Sequence, residues 1–168
     1  MDARRENEPT MKIQNPTTVE RKGERELVVT RTFDAPARIV FEAWTKPELF
    51  KRWWVPKSMG MSLVSFEADI RAGGSYRLVF SLDGGKTTVP FFGKYLEVTP
   101  HSRLVWSNEE NPEGAAISTV TFTEKGGKTL LVLSELHPSK ASCDGGIDAA
   151  EGLREQFGQL DELLVTLG

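Results

Sequence analysis

A carboxylate and an imidazole stand one pleat apart at Glu135 and His137, just before Pro138. On a strand the two side chains share a face, where such a pair can move a proton or orient a polar ligand group. Isolated pairs of this kind are far more often structural, and a solvated strand end explains them as well. Tyr76 is the other side chain placed to move protons. No catalytic residue is assigned, and Glu135, His137 and Tyr76 stand as candidates only. His101 sits in a turn without partners, and no histidine cluster has metal spacing, so neither a metal nor a cofactor is implied. There is no Gly-x-Ser-x-Gly elbow, and Cys143 lies in a Ser/Asp/Gly loop with nothing beside it to activate a thiol. The pairs Gly73-Gly74, Gly84-Gly85 and Gly126-Gly127 are turns between strands, and Gly145-Gly146 is the entry to the last helix. None is followed by the lysine and hydroxyl of a phosphate loop.

Binding chemistry has more support, in the aromatic residues. In Lys46-Pro47-Glu48-Leu49-Phe50-Lys51-Arg52-Trp53-Trp54-Val55-Pro56, two adjacent indoles close a short helix that stops at a proline. Trp44, Trp53 and Trp54 could line a pocket or fill core, and a single indole more often packs than binds. A closed sheet gripped by one helix commonly leaves a hollow, which favours a lining role for the set.

The 168 residues suit one domain, and 39% hydrophobic with 27% charged residues is ordinary for a globular protein. A net charge of -3 gives no global attraction for nucleic acid or anionic membrane. The single cysteine excludes an internal disulfide and fits a reducing cytoplasm. The N-terminus lacks the apolar core of a secretory signal, and no window reaches the length needed to span a bilayer. A cytoplasmic protein is expected.

Period and punctuation supply the elements. Residues 1–23 are polar and unpatterned and are expected to form a flexible arm, with residues 24–168 a single domain. Leu27, Val29 and Phe33 share a strand face that Arg31 interrupts. Pro36 and Pro47 each open a short helix at its first position. From Ser62 to Leu136 the period is two: Val64, Phe66, Ala68 and Ile70 alternate with Glu67 and Asp69, which should point outward. Asp69 beside Arg71 shapes the turn into Gly73-Gly74. The short strands that follow, with tight turns between them, make an antiparallel meander. From about Ile147 to Leu167, Ala150, Leu153, Phe157, Leu160 and Leu164 recur at helical spacing and need an apolar surface to lie on.

Phe33-Asp34-Ala35-Pro36, Trp53-Trp54-x-Pro56, Asp69-x-Arg71-x-Gly73-Gly74, Gly93-x-Tyr95-Leu96-Glu97-Val98 and Arg103-Leu104-Val105 occur in this order. Together with the ending Gly152 to Asp161 they resemble the SRPBCC (START-like) superfamily. The branch is similar to the C-terminal domain of the activator of heat-shock protein 90 ATPase, over roughly Glu24 to Leu167. The resemblance implies an α+β, helix-grip fold: a curved antiparallel sheet of about seven strands, ordered β-α-α-β6-α, wrapped around a long C-terminal helix with an internal cavity. The eukaryotic activator also has a separate N-terminal domain that engages the chaperone. Here the matching region is a short polar arm, so the resemblance speaks for fold and not for chaperone stimulation.

The expected function is therefore the binding of a small apolar or amphipathic molecule between sheet and C-terminal helix. Its walls are expected from Trp44, Trp54, Phe66, Tyr76, Phe80, Trp106, Phe122 and Phe157. One alternative is a cavity enzyme of cyclase, hydratase or hydrolase type. A second is a co-chaperone-like domain with a protein partner.

Overall fold

Alternating stretches need partners for their backbone groups and cover for their apolar faces. A computed structural model, describing residues 15–110 and 114–167, shows how both needs are met. Eight antiparallel strands form one curved sheet in the order β1-β2-β8-β7-β6-β5-β4-β3. They are β1 (Thr18–Lys22), β2 (Glu26–Phe33), β3 (Ser62–Ala68), β4 (Ser75–Ser81), β5 (Thr88–Thr99), β6 (Arg103–Asn108), β7 (Ala116–Lys125) and β8 (Lys128–Leu136). Helices α1 (Ala37–Thr45) and α2 (Pro47–Phe50) link β2 to β3, and α3 (Lys140–Leu167) ends the chain. This is the helix-grip architecture, with one strand more than expected.

The extra strand is β1, inside the expected arm. It pairs with β2 in the register Thr18↔Thr30 to Lys22↔Glu26. Its sequence hides it, because Val19 is its only apolar residue and the backbone ladder supplies most of its attachment. Charged side chains on such an edge also discourage pairing with another chain. Of the remaining arm, residues 1–14 lie outside the described residues.

Arg31, the interruption on β2, does face inward. It is 5% exposed, donates through Nη2 to Asp161 Oδ2 on α3 and through Nη1 to Thr17 Oγ1 at 2.9 Å. Burying a guanidinium is offset where its donors find partners: Nη1 and Nη2 tie β2 to Thr17 and to α3, while Nε is left without one. Pro47 does occupy the first turn of its helix, whereas Pro36 caps α1 from one position outside. A bulge between Leu63 and Ser65 reverses the expected parity at the start of β3, so Val64 is 55% exposed while Leu63 packs inward.

Helix α3 begins at Lys140 and not near Ile147, so Cys143 and Gly145-Gly146 are helical and not loop or entry. Cys143 is fully buried. Gly146 is small for a reason: a Cβ there would lie 2.8 Å from Cε1 of His137. The helix buries Ala150, Leu153, Phe157, Leu160 and Leu164, and packs chiefly on β2, α1 and β1. The helices lie farther from the inner faces of β4 to β6, and the cavity opens between them.

Candidate ligand-binding cavity

The unfilled space has a volume of about 490 Å³, inside the usual range for small-molecule sites of roughly 300–1,000 Å³. Each wall comes from a different element. From α1, α2 and the segment after them come Trp44, Phe50, Trp54, Met59 and Met61. The sheet contributes Phe66 from β3, Tyr76 and Phe80 from β4, Phe91 and Tyr95 from β5, and Leu104 and Trp106 from β6. The third wall is one face of α3, with Asp148, Ala149, Gly152, Leu153 and Gln156.

Small residues on that helical face leave the space open. A Cβ added at Gly152 would meet nothing within 4 Å, so the helix presents bare backbone to a void. A mid-helix glycine costs roughly 1 kcal/mol relative to alanine, and no close approach accounts for this one. On the sheet side Gly93 answers a different need: its Cβ would fall 1.9 Å from the Ser107 carbonyl oxygen, so only glycine lets β5 and β6 meet there.

Trp44, Trp54, Phe66, Tyr76, Phe80 and Trp106 all border the cavity. Phe122 and Phe157 do not. Both rings lie 6.3 Å from Trp44, on the solid side of the indole, and Phe157 sits edge-on to Phe33 at 5.4 Å. They point inward as strand and helix period require, but into packed core. The tandem indoles likewise divide. Trp53 is fully buried, with Nε1 donating to the Ala43 carbonyl at 2.9 Å, while Trp54 is half-buried on the cavity side. Phe50, Phe91 and Tyr95 are wall residues that sequence reasoning left out. Strand parity carried a signal for Phe91 and Tyr95, since both share a face with Gly93.

The segment that carries Trp54 is tied down by side chains of α3. Gln159 donates to the carbonyls of Trp53 (2.9 Å) and Val55 (2.8 Å) and accepts from the Lys57 amide at 2.9 Å. Gln156 donates to the Trp54 carbonyl, and Glu155 receives the Ser58 amide and hydroxyl. The Ser58 hydrogen bonds hold the Glu155 carboxyl below its ordinary value. An irregular segment is thereby given fixed partners at the cavity lip.

Of the polar candidates, Tyr76 is committed to structure. Its hydroxyl donates to the Ser107 carbonyl at 2.7 Å and lies 3.2 Å from Asn108 Oδ1, and burial pushes its pKa up. Glu135 and His137 are not a solvated strand end. His137 is only 9% exposed, with Nδ1 3.0 Å from Ser142 Oγ and Nε2 3.8 Å from Glu135 Oε1. Glu135 borders the cavity and His137 stands behind it. Glu67 is exposed as expected, and Asp69 pairs with Arg71 at 2.8 Å. His101 occupies its turn at φ 69° with its ring edge-on to Phe41 at 5.6 Å. Among the described residues no group of three His, Cys, Asp or Glu side chains could hold a metal, and no helix is long and apolar enough to cross a membrane.

Residues 34–165 match the family described as Activator of Hsp90 ATPase homolog 1-like protein. No curated protein matches the chain. Among solved structures, a Nitrosomonas europaea protein is 26% identical, with a TM-score of 0.76 over 87% of this chain and 97% of its own. A Staphylococcus epidermidis protein is also 26% identical, with a TM-score of 0.72 over 90% of this chain and 95% of its own. A Rhodobacter sphaeroides protein, 21% identical, superimposes with a TM-score of 0.82 over 90% and 99% of the two chains.

Proposed function

Because the chain belongs to the Activator of Hsp90 ATPase homolog 1-like family, within the SRPBCC superfamily, we propose that it works as that fold's cavity allows, by binding one small apolar or amphipathic molecule between sheet and α3. The observation that carries this reading is Gly152, a glycine in mid-helix whose missing side chain adjoins empty space on an aromatic-walled cavity. A chain selected for stability alone gains from a larger residue there; a container needs the space. Affinity then comes from apolar burial, at roughly 25 cal/mol per Å² before the costs of association.

The enzyme reading rests on fewer groups. Of the three candidates only Glu135, beside His137, offers the cavity an ionisable group not held by backbone, since the Tyr76 hydroxyl is engaged with the Ser107 carbonyl and His137 is not at the wall. Binding therefore stands ahead of catalysis.

Gly152→Leu tests the proposal. The substitution improves helix propensity and projects a side chain into the void. We expect a variant at least as stable as the parent that no longer binds N-phenyl-1-naphthylamine, an uncharged fluorescent probe that the parent binds at one site. A parent that fails to bind the probe, or a variant that binds it unchanged, overturns the reading.

A further inference from the structure

The charged groups of the cavity are all of one sign. Its lining includes Glu110, Glu135 and Asp148 and no lysine, arginine or histidine. Over the whole chain the signs are nearly balanced, 21 basic against 24 acidic residues, so a purely acidic lining does not follow from composition. Some carboxylates elsewhere are neutralised by arginines, as Asp144 is by Arg21, Asp69 by Arg71 and Glu97 by Arg103, and among the described residues no arginine or lysine does the same at the cavity. Glu110 accepts the Phe92 amide at 3.2 Å. The exposed Asp148 side chain has neither a hydrogen bond nor an ion pair among the described residues. Glu135 has only His137 Nε2 at 3.8 Å, beyond hydrogen-bond reach.

The fold sets Glu135, whose one ionic neighbour is His137, and Asp148 on adjoining elements of the cavity wall. The His137 ring packs on Gly146, which lays the start of α3 over the end of β8. Glu135 lies two residues before one side of that contact and Asp148 two residues after the other, and both reach the cavity wall. His137 is itself nine-tenths buried, and its Nε2 has no hydrogen-bond partner. The same wall carries Trp44, Trp54, Phe66 and Trp106, and Trp106 and Glu135 both pair with Ser118 of β7. Fixed charge of one sign beside apolar walls acts through a lower dielectric than water, so it attracts cations and repels anions more strongly than the same groups on an open surface. Aromatic faces add to the preference for positive charge.

We infer that the molecule bound here carries a protonated amine, received by Glu135 and Asp148, with an apolar or aromatic body seated among the indoles. This rests on the reading of the cavity as a ligand site and specifies the chemistry of its occupant.

Three probes with a common body test it: 2-(1-naphthyl)ethylamine, 2-(1-naphthyl)ethanol and 1-naphthylacetate, each titrated calorimetrically into the full chain at neutral pH and low salt. The amine should bind tightest, by about tenfold over the acetate, with the alcohol between them. Glu135→Gln should lower the affinity for the amine toward that for the alcohol, with the larger loss on the amine, and Asp148→Asn should act in the same direction. Added salt should weaken the amine alone. An alcohol that equals the amine, or an acetate that binds tightest, overturns the head-group inference and leaves the cavity reading standing. An amine advantage that survives both substitutions in folded protein also overturns it. Failure of all three probes overturns both readings together.

Discussion

Arg31 on β2 and Asp161 on α3 form an ion pair across the interface between sheet and helix, with the guanidinium also 5.5 Å from the centre of the Phe33 ring. Burial, with the charges of Asp34 and Glu162 nearby, holds the Asp161 carboxyl above its ordinary range although Arg31 pulls it down. Desolvation of a buried pair offsets much of its attraction, so its geometry, which ties α3 to β2, is the expected contribution.

Removing one member should then hurt more than removing both. Asp161→Ala leaves a buried guanidinium without its carboxylate and should cost about 3–5 kcal/mol, whereas Arg31→Met with Asp161→Leu should stay within about 1 kcal/mol of the parent. Urea unfolding of the two variants measures both. A double variant as unstable as the single one would show the pair to be net stabilising.

Phe157 is fully buried between Phe33, Trp44 and Trp53. Phe157→Asp should cost several kcal/mol, because a carboxylate there has no partner in the surrounding core. A variant that melts within a degree of the parent would mean that α3 does not grip the sheet.

A truncation that starts the chain at Glu24 should be destabilising, contrary to what an unpatterned arm implies. It removes β1, exposes the edge of β2, and takes away Thr17, which receives hydrogen bonds from Arg31 and Arg154. The expected loss is about 1–3 kcal/mol, read as a drop in melting temperature of several degrees. An unchanged melting temperature would show that β1 adds no stability.

The adjacent indoles should respond oppositely to truncation. Trp53→Ala opens a core cavity and removes a hydrogen bond, at about 3–5 kcal/mol. Trp54→Ala should reduce stability less and weaken binding of the uncharged naphthyl probe more. Equal effects on stability, with probe affinity unchanged in folded Trp54→Ala, would leave Trp54 as packing only.

Much of this architecture is legible along the chain because it depends on local period. Alternation from Ser62 to Leu136 determines a meander, and the stripe through Leu153, Phe157 and Leu160 determines a helix that must lie on it. Parity also places Tyr76, Phe80 and Trp106 inward. It says nothing of what an inward side chain meets. Phe122 and Phe157 reach solid core while Phe50 and Tyr95 reach a void, because α3 leans toward β1 and β2 and away from β4 to β6. That lean belongs to the packing of whole elements. Contacts such as Arg31 with Asp161, 130 residues away in the chain, and Gly146 with His137, where α3 folds back on the end of β8, maintain it. The same is true of β1, whose polar residues carry no period and which is held by a backbone ladder to β2 and by the Arg21–Asp144 ion pair to α3. Orientation was written in the order of the residues; the distance between the helix and the sheet, and so the cavity and its carboxylates, was decided only when the elements packed.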